Sequence, residues 1–229
     1  MKKKLGIIIG FMLLLDVMAF AQQTQNFTNF HFSGSVARLI NPDQGEIEGS
    51  PYLTKDFMMG QIELENGEIY DDVMLRYNLY ADQVEVTKEE KVYSFVPEML
   101  RKFRFQHDKE YLEFQNGFEG VGEEGFSTKD YFLVLYKGNS ALLKRMESVV
   151  KESESREYGS SKKGKWFSLS ERYYIQKDQT FFEIKKTKKS LRSFFSTDDK
   201  EISAYIKKAQ IKTDKDFANV IKYLDARQE

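Results

Sequence analysis

The apolar residues of this chain change their period once, near residue 190, and that change limits what it can fold into. Between 57 and 184 they recur at every second position in short runs divided by Gly, Asn and Asp. Beyond 190 they recur at about every 3.6 residues, so strands come first and amphipathic helices last. Connections this short join antiparallel neighbours. The expected fold is α+β: mainly an antiparallel β-meander, flat or curved into a half-barrel, closed by two short C-terminal helices.

Residues 57–64 read as a strand that ends at Glu65-Asn66-Gly67-Glu68, where Asn-Gly favours a type I′ hairpin turn. Val73, Leu75, Tyr77 and Leu79 share one face, Arg76 and Asn78 the other. Val84-Glu85-Val86 resumes the alternation after a turn at Ala81-Asp82-Gln83. Further strands are expected at 92–96, 102–106, 110–115 and 131–136, with a hairpin of 173–175 and 180–184 around Lys177-Asp178-Gln179. Residues 141–150 fit two periods. Leu142, Leu143, Met146, Val149 and Val150 make a helical face, but the hairpin chemistry of Lys137-Gly138-Asn139-Ser140 before them tips the reading to strand. Residues 151–165, charged and rich in Ser and Gly, read as an exposed loop. The helices are marked by Ile202, Tyr205, Ile206 and Ala209, with an N-cap in Thr197-Asp198-Asp199, and by Phe217, Val220, Ile221 and Leu224 after Thr213-Asp214-Lys215-Asp216.

The first residues, Met1-Lys2-Lys3-Lys4, are basic; 5–17 is an apolar run broken by Gly6, Gly10 and Asp16; Ala19-Phe20-Ala21 supplies small residues before a cut. This is the pattern of a cleavable export signal at 1–21, with cleavage before Gln22. The run is shorter than the ~20 residues that span a bilayer, so no transmembrane segment is expected after cleavage. Residues 22–29 are polar and without period, the pattern of a flexible tether, which leaves 30–229 as one β-rich domain with its helices from about 190. There is no cysteine for a disulfide framework or a lipid anchor. Removing Lys2, Lys3, Lys4 and Asp16 with the leader leaves 32 basic and 35 acidic residues, a balance that argues against nucleic acid as a partner.

Catalytic constellations are hard to find. The two histidines, His31 and His107, lie 76 residues apart, one near the amino end and one in a turn, and read as ordinary surface residues. Asp71-Asp72 and Glu123-Glu124 are adjacent carboxylates, but neighbours in a strand point to opposite faces. Gly117, Gly120, Gly122 and Gly125 make a flexible loop, not a phosphate cradle, because no Gly-Lys-Ser/Thr element or helix start follows. No catalytic, metal or cofactor residue is assigned, and no cofactor is implied. One surface patch stands out: Lys185, Lys186, Lys188 and Lys189, joined by Lys162, Lys163 and Lys165, form a basic cluster suited to an anionic ligand or to edge-strand protection. Tyr173-Tyr174 and Phe181-Phe182 read as core packing.

The stretch Gly49-Ser50-Pro51-Tyr52-Leu53, with Leu75-Arg76-Tyr77-Asn78 and Asp82-Gln83-Val84-Glu85, resembles a group of uncharacterised exported proteins of Bacteroidota. The ending, from Lys188-Lys189-Ser190-Leu191 through Ile202, Tyr205, Ile206 and Lys207 to the Thr213 helix, is similar to that group's ending. The resemblance spans most of the mature chain and carries no activity. It implies a Gram-negative envelope, and a helical ending in place of a β-rich sorting domain favours the periplasm over the cell surface or medium. The leading expectation is a non-catalytic envelope protein that binds a partner protein or an envelope ligand. A carrier of a lipid or other apolar ligand, which needs an apolar cavity of ~300 Å³ or more between sheet and helices, stays open. So does a carboxylate- or metal-dependent hydrolase, which needs convergent acids in a pocket.

Overall fold

A computed structural model describes residues 24–32, 37–39, 47–153, 164–178, 180–195 and 199–227. The leader at 1–21 lies outside the described residues, as do Lys162 and Lys163. The strands are β1 (Thr24–Asn26), β2 (Ala37–Leu39), β3 (Met58–Leu64), β4 (Ile69–Asn78), β5 (Gln83–Lys88), β6 (Lys91–Phe95), β7 (Leu100–His107), β8 (Glu110–Gln115), β9 (Phe132–Lys137), β10 (Ser140–Ser153), β11 (Gly164–Lys177) and β12 (Thr180–Ile184). Three helices follow: α1 (Lys188–Phe194), α2 (Lys200–Lys208) and α3 (Asp214–Asp225). No helix among the described residues is long and apolar enough to cross a membrane.

One sheet joins the strands in the order β12-β11-β10-β9-β8-β7-β3-β4-β5-β6-β2, antiparallel throughout, with β1 added in parallel along β4. Its turns are those the sequence announces. Gly67 has φ 86 in the β3–β4 turn, and Asp108 and Lys109 take φ 47 and 72 in the β7–β8 turn.

Between β3 and β12 the meander is interrupted once, where β7 pairs with β3 and not with β6, and β2 adds to the outer edge of β6. In a flat sheet β6 and β7 would lie four strand spacings apart, ~19 Å. Only residues 96–99 join them, a reach of at most ~17 Å. The two strand ends are also level with opposite ends of β4, since Ser94 follows Glu85 and Arg76 across the sheet while Leu100 sits beside Leu64, next to the Glu63–Ile69 pair. The sheet must therefore curl. It does so around Tyr77, Phe103, Phe105, Phe114 and Tyr131, all within 2% of full burial, with Phe103 and Phe114 stacked at 5.0 Å between centroids. The far side of the curl is held where Ser148 donates its backbone N–H to the Leu79 carbonyl at 3.2 Å.

The other end of the sheet is covered on both faces. Leu142, Tyr173, Ile175 and Ile184 pack under the three helices, while Leu143, Tyr174, Phe132 and Phe181 pack under the loop carrying Phe118, Val121 and Phe126. This double cover explains why residues 141–150 lacked a clear period: 141–146 are all buried, and they belong to the long strand β10.

Several expectations need correction. The polar stretch at 22–29 is no tether over its described part: β1 pairs with β4, and the turn after it drives Phe27 and Phe30 to 5% exposure. Two phenylalanines and a cation supply the anchor, for Lys88 donates to the carbonyls of Thr28 and Phe30 at 2.7 and 2.6 Å. The described residues hold three α-helices where two were expected. The extra one, α1, is short and mostly polar, so its sequence lacks a face, but Thr187 caps it and Leu191 and Phe195 fasten it to the core. The expected loop at 151–165 begins and ends as strand, because β10 and β11 pair as far as Ser153 and Gly164. The glycine-rich loop holds a turn of 3₁₀ helix at Val121–Glu124 and buries Val121 beneath the sheet.

Candidate functional site

Three polar clusters are engaged in holding the fold. On β4 and β5, Arg76 pairs with Glu85 through Nε at 2.9 Å and Nη2 at 2.7 Å, and its guanidinium lies 3.8 Å from the Tyr52 ring centroid. The Tyr52 hydroxyl accepts from Arg76 and donates to Glu85, and burial, then Glu85, raises its pKa. Leu53 N–H meets the Tyr77 carbonyl and Leu79 N–H the Pro51 carbonyl. Segments 49–53, 75–78 and 82–85, apart in sequence, thus come together in space.

The second cluster is deeper. Asp82, at φ 52 in the β4–β5 turn, accepts from the Tyr77 hydroxyl, from Arg145 Nη1 at 3.0 Å and from Tyr131 N–H at 3.3 Å. Burial raises its pKa against the pull of Arg145. The third is Asp214 at the start of α3, which binds Lys144 and Lys186 at 2.8 Å each and the Tyr173 hydroxyl at 2.7 Å.

The described lysines of the basic patch do not share one surface. Lys186 serves Asp214, Lys188 donates to the Lys207 carbonyl at 2.7 Å, and the Lys185 N–H goes to Ser190 Oγ, leaving Lys185 and Lys189 exposed side chains. Lys165 sits opposite Glu152, ~26 Å along β11 from Tyr173. His31 is exposed in the amino-terminal segment, and His107 lies 3.5 Å from Asp108 in the β7–β8 turn, far from one another in the chain. Among the described residues no group of three or more metal-ligating side chains converges.

Asp71 and Asp72 behave differently from the sequence expectation. The β3–β4 register runs from Gly60–Val73 directly to Ile62–Tyr70, so Gln61 alone opposes both aspartates in a bulge. Asp72 takes φ 57, a left-handed conformation that breaks the alternation, and both carboxylates line one cleft. Gln61 Nε2 donates to Asp71 Oδ1 at 2.6 Å. The cleft, about 160 Å³, is completed by Met59, Gly60, Arg104 and Tyr111. Glycine at position 60 lets β3 lie close against β7, since a Cβ there would lie 2.2 Å from the Arg104 carbonyl oxygen.

A second cleft adjoins it. β8 and β9 share only the pairs Phe114–Leu133 and Gln115–Phe132, then splay apart. The split leaves a half-open space of about 300 Å³ with Leu112, Leu133 and Leu135 beneath, Glu110 and Tyr111 on one rim, and Lys215, Ala218 and Asn219 of α3 on the other. Lys215 and Asn219, four residues apart, share one helix face. Tyr111 lines both clefts and is 69% exposed, with Arg104 5.8 Å from its ring centroid.

The chain matches no family model, no curated protein and no solved structure. What the site can do follows from its side chains: carboxylates to accept, a guanidinium, an ammonium and amides to donate, and an open phenol ring on which to stack. Sequence reasoning missed Gln61, Arg104 and Tyr111, which are scattered over three strands. One signal for the bulge was present. Tyr70 and Val73 are both core residues an odd number of positions apart, which a regular strand cannot bury on one face.

Proposed function

We propose that the protein is an exported, non-catalytic envelope protein that binds a partner protein or an envelope ligand at its outer surface, in the periplasm. The observation that carries this reading is where the open space lies: the curl is filled by aromatic rings, and the space of about 300 Å³ between β8, β9 and α3 is a half-open surface cleft bordered by Glu110, Lys215 and Asn219, not an enclosed apolar cavity of the kind a carrier needs. The Lys-rich, apolar opening of the chain supports export, and the resemblance to exported Bacteroidota proteins supports the envelope setting. The test is expression of the full chain in a Gram-negative host, followed by fractionation and mass measurement. A periplasmic product beginning at Gln22 is expected; an intact chain retained in the cytoplasm overturns the reading.

A second reading, a carboxylate hydrolase, is favoured by one observation, the placement of Asp71 and Asp72 in a single cleft. Turnover of envelope polymers that disappears in Asp71→Asn or Asp72→Asn would replace the first reading with this one.

A further inference from the structure

We propose that the two clefts flanking Tyr111 form one elongated site for a neutral or amino-sugar oligosaccharide. This rests on the reading of a surface-binding protein and names its ligand class.

Tyr111 is the pivot. A phenol ring so exposed, with a cleft on either side, offers a flat apolar face with a polar tip, which suits the C–H face of a sugar ring. Vicinal hydroxyls both donate and accept, and so need mixed partners at close spacing. On one side of Tyr111 stand Asp71, Asp72 and Arg104; on the other stand Glu110, Lys215 and Asn219. Asp214 also borders the second cleft, but Lys144, Lys186 and Tyr173 already occupy its oxygens.

Charge narrows the class. Apart from Asp214, three carboxylates face two cations, so a phosphorylated or acidic ligand would meet net repulsion. A lipid would leave these groups without partners in exchange for three leucines. A polyol satisfies them, and an amino sugar gains a carboxylate partner. The combined space falls within the ~300–1,000 Å³ of small-molecule sites.

The bulge supplies rigidity. Asp72 is held in a left-handed conformation, and Gly60 lets β3 approach β7 closely, so the first cleft is built before ligand arrives. Bulges are a recurrent way to re-aim side chains beside binding sites.

The experiment is calorimetric titration of the intact chain with chitotriose, glucosamine trimer and cellotriose, with oligogalacturonate as the acidic control. Saturable binding of at least one of the three is expected, and none of the acidic control. Tyr111→Ala and Asp72→Gly should each weaken it by about tenfold or more, the loss of one stacking or charged hydrogen-bond contact. Neither variant should unfold the protein, because Tyr111 is exposed and glycine adopts φ 57 without strain. The inference is overturned by no binding of the three at about 10 mM, by binding that both variants leave intact, or by preference for oligogalacturonate. An exported chain that binds none of these sugars would sink the ligand class and leave the surface-binding reading in place. Binding followed by chain shortening, seen by chromatography of the sugar, supports the ligand class while overturning the non-catalytic reading.

Discussion

Two aspartates in turns or bulges show how much one residue decides here. Asp82 leaves the β4–β5 turn to enter the core, where it is the nearer of two carboxylate partners of Arg145, a side chain only 6% exposed. Removing it leaves the guanidinium with Glu147 at 3.4 Å and the Tyr131 carbonyl at 2.7 Å, so Asp82→Ala is expected to cost about 1.5–3 kcal/mol in urea unfolding, the loss of a charged hydrogen bond. Tyr77→Phe, which removes one donor and leaves Asp82 with two others, should cost about 1 kcal/mol. Asp72 is the opposite case. Its carboxylate faces an open cleft and its backbone carries the strain of φ 57, so Asp72→Gly should leave stability unchanged or raise it by up to about 1 kcal/mol, read from the shift in denaturant midpoint.

At the scale of elements, α3 is a helix fastened mainly at its ends and along one stripe. Phe217, Val220, Ile221 and Leu224 enter the core, Thr213 and Asp216 form a capping box, and Asp225 accepts from the Tyr136 hydroxyl at 2.9 Å and the Ser140 N–H at 3.1 Å. Its first residue, Asp214, ties it to β10, β11 and the β12–α1 link. Burial works against the Asp214 charge, but hydrogen bonds from Lys144, Lys186 and Tyr173 lower its pKa to about 2. A carboxyl whose folded pKa lies below the unfolded value of about 3.9 contributes stability that is present above that value and lost as pH falls through about 2. Amides of α3 should therefore lose exchange protection between pH 4 and 2, ahead of those in β7 and β8. Asp214→Asn should abolish that acid step and lower stability at neutral pH by about 1–2 kcal/mol, discounted for partial exposure. Unchanged protection of α3 in wild type down to pH 2 would show that the apolar stripe alone holds the helix.

For the whole molecule, one continuous sheet couples three apolar clusters. Leu135 on β9 packs against both the aromatic curl and the helical layer, and on β10 Leu142 faces the helices while Leu143 faces the glycine-rich loop. The curl also depends on the amino-terminal segment, whose Phe30 stacks edge-on to Tyr70 at 5.0 Å and lies 5.8 Å from Phe95. Phe30→Ala is expected to destabilise by about 3–5 kcal/mol. Because β9 and β10 run through all three clusters, the helical signal in circular dichroism and the emission of Trp166, the single tryptophan, should melt together in that variant and in wild type. Separate transitions would mean that the helical layer and the curl fold independently.

Local chemistry made much of this legible in advance. Asn66-Gly67, Asp108-Lys109 and Asp178 carry their turns in their own backbone preferences, and the alternation at Val73, Leu75 and Tyr77 depends on nothing beyond the strand itself. The caps at Asp199 and Thr213 are equally local, each satisfied within three residues. From such signals the antiparallel meander, its hairpins and the two amphipathic helices followed. The pairing of β3 with β7, the docking of Phe27 and Phe30, the anchoring of α1 and the gathering of Asp71, Asp72, Arg104 and Tyr111 did not. Each of these joins residues distant in sequence, and its free energy exists only once a particular curl brings the partners within contact. The sequence by itself determined which segments extend, turn or coil. The tertiary structure decided which strands became neighbours, and through one bulge and one split between strands it decided where the surface opens.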